Sequence, residues 1–89
     1  MKTTTLTDYI FSGHSEQQLK MRFGKSSNEI LGSAQYFKKG NKTTRYSQVR
    51  NKLASYSHQE VFYNEKLNMI LVCDTITQKI ATAMYLQVA

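Results

Sequence analysis

The plainest hydrophobic pattern lies in the last third of the chain. "QEVFYN", "MILVCD" and "KIATAMYLQV" are rich in β-branched, aromatic and aliphatic residues, and the polar steps "EKLN" and "TITQ" separate them. Runs of this length joined by short polar connections predict three consecutive antiparallel strands. Strict alternation in the third strand puts Ile80, Thr82, Met84 and Leu86 on one face, with Ala81, Ala83, Tyr85 and Gln87 on the other.

Upstream the period changes. The threonine-rich start predicts an extended lead-in or first strand. Gly13 breaks it, and a helix from about His14 to Phe23 follows, with Gly24 as its C-cap. "SSNEILGSAQYFKKG" reads as a second helix: Ser26 or Ser27 caps it, and Ile30, Ala34 and Phe37 form its buried stripe. Lys38 and Lys39 fall in its last turn, where the helix dipole favours them, and Gly40 stops it. "TTRYSQVRNKL" fits either a strand or a short helix ending near Leu53. The expected fold is α+β, a single domain over residues 1–89. Two N-terminal helices pack on a small antiparallel meander sheet of three to four strands. The back of that sheet lies against the helices, and its front forms an open cleft with the helix carrying His14.

Composition narrows the chemistry. A chain of 89 residues buries roughly 60–65% of its unfolded surface and cannot house a large enclosed pocket. The single cysteine, Cys73, excludes an internal disulfide and reads as a buried small hydrophobe. Two histidines and one cysteine, far apart in sequence, lack zinc-site spacing, so neither metal nor cofactor is expected. The longest clean apolar run is "MILVC", so no export or membrane segment is expected, and the cytoplasm is the expected site of action. A domain cut from a larger delivered toxin has the same composition.

Charge changes the picture further. The net charge is +6, and residues 20–52 hold nine of the twelve basic residues with a single acid, Glu29, giving that segment +8. This is the electrostatic footprint of a polyanion binder. Lys20, Lys25, Lys38, Lys39, Lys42, Arg45 and Arg50 are the candidate phosphate contacts, and Tyr85 is a candidate for stacking on a base or donating a proton.

Within "SGHSEQQLKMRFG", His14, Gln18 and Arg22 fall within an arc of about 80° on one helical face. With His58, Arg45, Arg50, Thr82 and the tyrosines, these residues are an inventory for metal-independent RNA cleavage. That reaction needs a base for the ribose 2′-OH, an acid for the leaving 5′-oxygen, and cations for the developing charge on phosphorus. A histidine near its ordinary pKa of about 6.5 serves either proton transfer, and an arginine fork matches two phosphate oxygens. The bland alternatives are a solvated helix face for His14 and an exposed turn for His58.

"SGHSEQQLKMRFG", a second helix, and the closing "ILVCDTITQKIATAMYL" together resemble small toxins of the barnase–EndoU–colicin–RelE superfamily. In many such domains a helix begins with a histidine and carries an arginine two turns on, and the meander ends in a strand with a threonine between hydrophobic residues. The resemblance covers roughly residues 10–87 and implies an endoribonuclease acting on tRNA or mRNA. It also implies an acidic inhibitor, an antitoxin or immunity protein, that blocks the cleft. On this likeness His14 is the general acid/base, Arg22 the phosphate binder and Thr82 a substrate-positioning hydroxyl. Gln18 stands where a further basic residue is common.

Two other readings compete. A non-catalytic nucleic-acid-binding domain of winged-helix type would use "SNEILGSAQYFKKG" as its recognition helix and Lys38, Lys39, Lys42, Arg45 and Arg50 on phosphates. A small phage- or plasmid-encoded inhibitor of a host protein would leave little trace in composition.

Overall fold

The computed structural model describes residues 5–55 and 58–86. The earliest part of the expected lead-in strand and the face assigned to Gln87 lie outside them. Among the described residues the elements are β1 (Ile10–Phe11), α1 (Gly13–Phe23), α2 (Ser27–Gly32), β2 (Lys38–Lys39), α3 (Ser47–Ser55), β3 (Gln59–Asn64), β4 (Met69–Asp74) and β5 (Lys79–Tyr85), with single 3-10 turns at Leu6–Asp8 and Ala34–Tyr36. The fold is α+β, as expected. It has three helices rather than two, and a five-stranded mixed sheet in the order β1-β5-β4-β3-β2.

The meander forms as the hydrophobic runs predict. β3 pairs antiparallel with β4 from Gln59↔Asp74 to Asn64↔Met69, and β4 pairs antiparallel with β5. The two connections share one device. Asn64 Oδ1 accepts from the amides of Lys66 and Leu67, and Asp74 Oδ1 accepts from those of Ile76 and Thr77. A side chain that mimics a backbone turn in this way starts each reversal. Asn68 and Gln78, at φ 54° and 57°, complete the two reversals in the left-handed region.

Both faces of the sheet are covered. On one, Leu19 of α1, Ile30 of α2, Leu6, Tyr9 and Phe37 pack on Phe62, Met69, Leu71, Cys73, Ile80 and Ala83. On the other, Tyr46 and Val49, with Leu53 beside them, pack on Val61, Ile70, Val72 and Leu86. The expected open front is therefore filled by α3. "MILVC" is continuously apolar because β4 lies centrally with a helical layer on each side.

Four local expectations are corrected. The segment from Ser26 to Gly40 is not one helix: α2 stops at Gly32, where the Ser33 hydroxyl donates to the carbonyls of Glu29 and Ile30. A 3-10 turn then carries Phe37 into the core, so the i, i+4, i+7 stripe survives without a continuous helix. Lys38 and Lys39 form β2 on the sheet edge rather than a helical last turn, and the recognition helix of the winged-helix reading is broken. Gly40 stops no helix; its amide donates to Val61 O at 2.7 Å and its Cα lies against Val49. In β5 the register slips opposite Val72 and Cys73, leaving Ala81 as an extra residue. That bulge puts Ile80 and Ala83, three apart, in the same core layer, and Met84 and Leu86 in the other.

Candidate functional site

α1 is positioned by both of its ends. Ser12 caps it, its hydroxyl oxygen accepting from Ser15 N at 3.1 Å, while the Ser12 amide donates to Ile80 O. At the other end Gly24 adopts φ 64° and returns its amide to Lys20 O. β1 is only two residues long and pairs parallel with Lys79 and Ile80, so it leaves the outer edge of β5 open from Ala81 onward. The α1 face predicted from the sequence lies along that opening.

Gln18 is its centre. Its Oε1 accepts from Ala83 N at 3.1 Å and from the Thr82 hydroxyl. A backbone amide can only donate, so this contact fixes which end of the Gln18 amide faces the strand. The Nε2 end then points to His14 Nε2 at 2.9 Å and donates to it, which assigns the imidazole proton to Nδ1. One turn on, Arg22 Nη1 donates to Ala83 O at 2.9 Å, and the Tyr85 hydroxyl donates to Arg22 O. The Tyr85 ring packs on Phe23 with centroids 4.5 Å apart. His14 and Arg22 are eight residues apart, about 12 Å along the axis. Helical side chains lean toward the N-terminus, so the guanidinium comes back to the same residue that Gln18 holds.

His14, Arg22, Thr82 and Tyr85 thus meet on one seam, linked through Gln18 and Ala83. His58 does not join them. It lies in the turn just before β3, its carbonyl accepting from Thr75, with β4 between that strand and β5. Two strand spacings, roughly 10 Å, separate β3 from β5.

The candidate phosphate contacts are scattered over several surfaces. Lys20 and Lys25 belong to α1 and the loop after it, Lys38 and Lys39 to the opposite sheet edge, and Arg50 to the helix on the other face. Lys42 is exposed in the loop before α3. Two of the cations have internal partners. Lys39 pairs with Glu60 at 3.0 Å, and Arg45 donates to Tyr46 Oη at 2.7 Å and to Glu65 at 3.1 Å. The Tyr46 hydrogen bond and then the Glu65 charge hold Arg45 protonated above its ordinary range.

A concave feature that the sequence does not announce lies apart from the seam. Two adjoining hollows, of about 250 and 280 Å³, share Tyr36, Asn64 and Lys66. Lys25 and Glu29 line one, Lys38 and Glu65 the other. Tyr36 is 54% exposed, with the Lys66 ammonium 5.4 Å from its ring centroid. The available signal was that Phe37 in the core stripe turns its neighbour Tyr36 outward.

Among the described residues no group of three or more His, Cys, Asp or Glu could hold a metal, and no helix is long and apolar enough to cross a membrane. No family model matches the chain, and no curated protein or solved structure matches it either.

Proposed function

We propose that this chain acts on RNA, as a metal-independent endoribonuclease whose chemistry takes place on the α1–β5 seam. The observation that carries the reading is one bonded seam built from opposite ends of the chain: the Gln18 amide bonds His14 and Thr82, and a turn further on Arg22 donates to Ala83 O and its carbonyl accepts from Tyr85. His14 takes the ribose 2′-OH proton on Nε2 in this scheme, the substrate hydroxyl displacing the Gln18 Nε2 donor from that lone pair. Arg22 has one donor on Ala83 O and further N–H groups to offer a phosphate. The Thr82 and Tyr85 hydroxyls are the other proton-bearing groups at hand. An acidic inhibitor protein covering this seam would silence it.

A second reading, RNA binding without cleavage, is favoured by one feature of the same seam. Gln18 and Arg22 satisfy the open backbone of β5, a structural task sufficient to explain both residues. One experiment separates the two. Wild type and His14→Ala are incubated with total tRNA and mRNA in EDTA, and RNA affinity is measured alongside. The ribonuclease reading expects cleavage to fall about 10²–10⁴-fold in the variant with affinity retained. Retained affinity with intact RNA from the wild type selects binding alone, and equal cleavage by both proteins removes His14 from the chemistry.

A further inference from the structure

We infer that the paired hollows around Tyr36 form a nucleotide-binding subsite for single-stranded RNA, with Tyr36 stacking on a base and Lys25, Lys38 and Lys66 holding the flanking phosphates. The inference rests on the RNA-directed reading above and adds a place on the surface that reading does not use.

The argument starts from Tyr36. Its ring is 54% exposed at the mouth of a concave surface, an amphipathic group with one face free to take a flat partner. The Tyr36 backbone is held by the 3-10 turn, its amide donating to Ser33 O and the next amide to Ala34 O, so the ring is presented by an ordered segment. Tyr85, the residue the sequence offered for stacking, is already occupied by Phe23 and the Arg22 carbonyl. Tyr36 has one face toward the Lys66 ammonium.

Charge supplies the second argument. Three lysines surround the two hollows, from three separate segments of chain. Two acids also line them, but Glu65 is bound to Arg45, which leaves Glu29 as the opposing charge. A base stacked on an aromatic ring with cations on both flanks is the general recipe for single-strand recognition, and it tolerates any base because every base has a π-face.

Position supplies the third. Lys25 follows α1 directly and is three residues beyond Arg22, while Leu67, in the hollow, lies in the turn leading to Met69, the register partner of Tyr85. The hollow therefore opens at the same end of the molecule as the Arg22–Tyr85 end of the seam. A strand of RNA that lies along α1 reaches it without crossing the sheet.

The test is binding of a fluorescein-labelled uridylate dodecamer to wild type, Tyr36→Ala, Tyr36→Phe and Lys66→Ala across a salt series, with inorganic polyphosphate as a second probe. Circular dichroism confirms that each variant is folded. Tyr36→Ala is expected to weaken dodecamer binding about ten-fold or more while Tyr36→Phe binds as wild type. Polyphosphate binding should be indifferent to Tyr36→Ala. Lys66→Ala should weaken both probes and flatten the salt dependence by about one phosphate contact. Wild-type binding that Tyr36→Ala and Lys66→Ala leave unchanged overturns the subsite and leaves the RNA-directed reading standing. Equal loss of dodecamer and polyphosphate in Tyr36→Ala overturns the stacking role. Absence of dodecamer binding by the wild type overturns the subsite, and the tRNA and mRNA assay above decides the RNA-directed reading separately.

Discussion

Replacing Gln18 by leucine tests whether the seam is structural before any question of catalysis. Leucine matches glutamine closely in helix propensity, so the intrinsic helical contribution is nearly unchanged. What disappears is the acceptor for Ala83 N, a residue with no exposed surface. A buried amide left without a partner costs about 1–3 kcal/mol. The Thr82 hydroxyl and His14 also lose Gln18, but both reach water, so their contribution is small. A net loss of about 2 kcal/mol lowers the melting temperature of a domain this size by roughly 8–16 °C. Gln17→Leu, one residue away on the exposed side, is the control and should stay within about 0.5 kcal/mol of wild type. Urea melts followed by far-ultraviolet circular dichroism measure both, with the m-value unchanged. Equal stability of the two variants would refute the claim that Gln18 closes the edge of β5.

Two further outcomes follow from the packing and from the buried titratable groups. Gly40→Ala places a Cβ 2.3 Å from Val49 Cγ1 and 3.3 Å from Val61 O, so overpacking between α3 and the sheet should cost about 1–3 kcal/mol in the same urea melts; a variant as stable as wild type would mean that α3 sits further out. Burial, then the hydrogen bond to Glu60 (2.5 Å) and its charge, pushes the Tyr9 phenol up, and burial followed by the Glu60 charge does the same to the Cys73 thiol. Both groups hold their protons more firmly folded than unfolded. Below the ordinary values of about 9 and 10 both states are protonated, and above them the unfolded chain ionises first. Stability should therefore be insensitive to these groups up to about pH 9 and fall beyond it, by up to about 1.4 kcal/mol per pH unit for each group, and less steeply in Tyr9→Phe. Identical alkaline profiles for Tyr9→Phe and wild type would contradict that assignment.

Local pairing was legible in the sequence, and non-local pairing was not. β3 and β4 occupy the runs "QEVFYN" and "MILVCD" residue for residue, because short polar reversals fix the register of adjacent strands. The two-residue parallel contact of β1 with β5 joins positions some seventy residues apart and leaves no periodic signature. "TTRYSQVRNKL" fits strand or helix because it is short and alternates irregularly; in the fold it carries α3, with Tyr46, Val49 and Leu53 at helical spacing on the core. The doubly buried run "MILVC" carried the information that helices cover both faces, which an open cleft on one face contradicts. In β5, alternation failed at Ala81 because a bulge is a backbone event that small residues do not announce.

The candidate site divides along the same line. The arc of His14, Gln18 and Arg22 follows from helical geometry alone, and it does face β5. Gln18 stands where the likeness expects a further basic residue; in the fold it is the group that ties His14 to the strand. The basic segment read as one face is divided among α1, the β2 edge and α3, because the chain crosses the sheet between Lys39 and Arg50. Phe37 in the core stripe turns Tyr36 outward, but an exposed tyrosine does not announce the hollows beside it, which Asn64 and Lys66 of a distant segment complete.

The most direct measurement is the chemistry of the RNA ends. Total tRNA and mRNA are incubated in EDTA with wild-type protein and with His14→Ala, and the 3′ ends of the products are identified. Attack by the ribose 2′-OH at the α1–β5 seam predicts discrete fragments ending in 2′,3′-cyclic phosphate from the wild type, and about 10²–10⁴-fold fewer from the variant. Intact RNA in both reactions, or the same cyclic ends in equal yield from His14→Ala, would contradict a ribonuclease built on this seam.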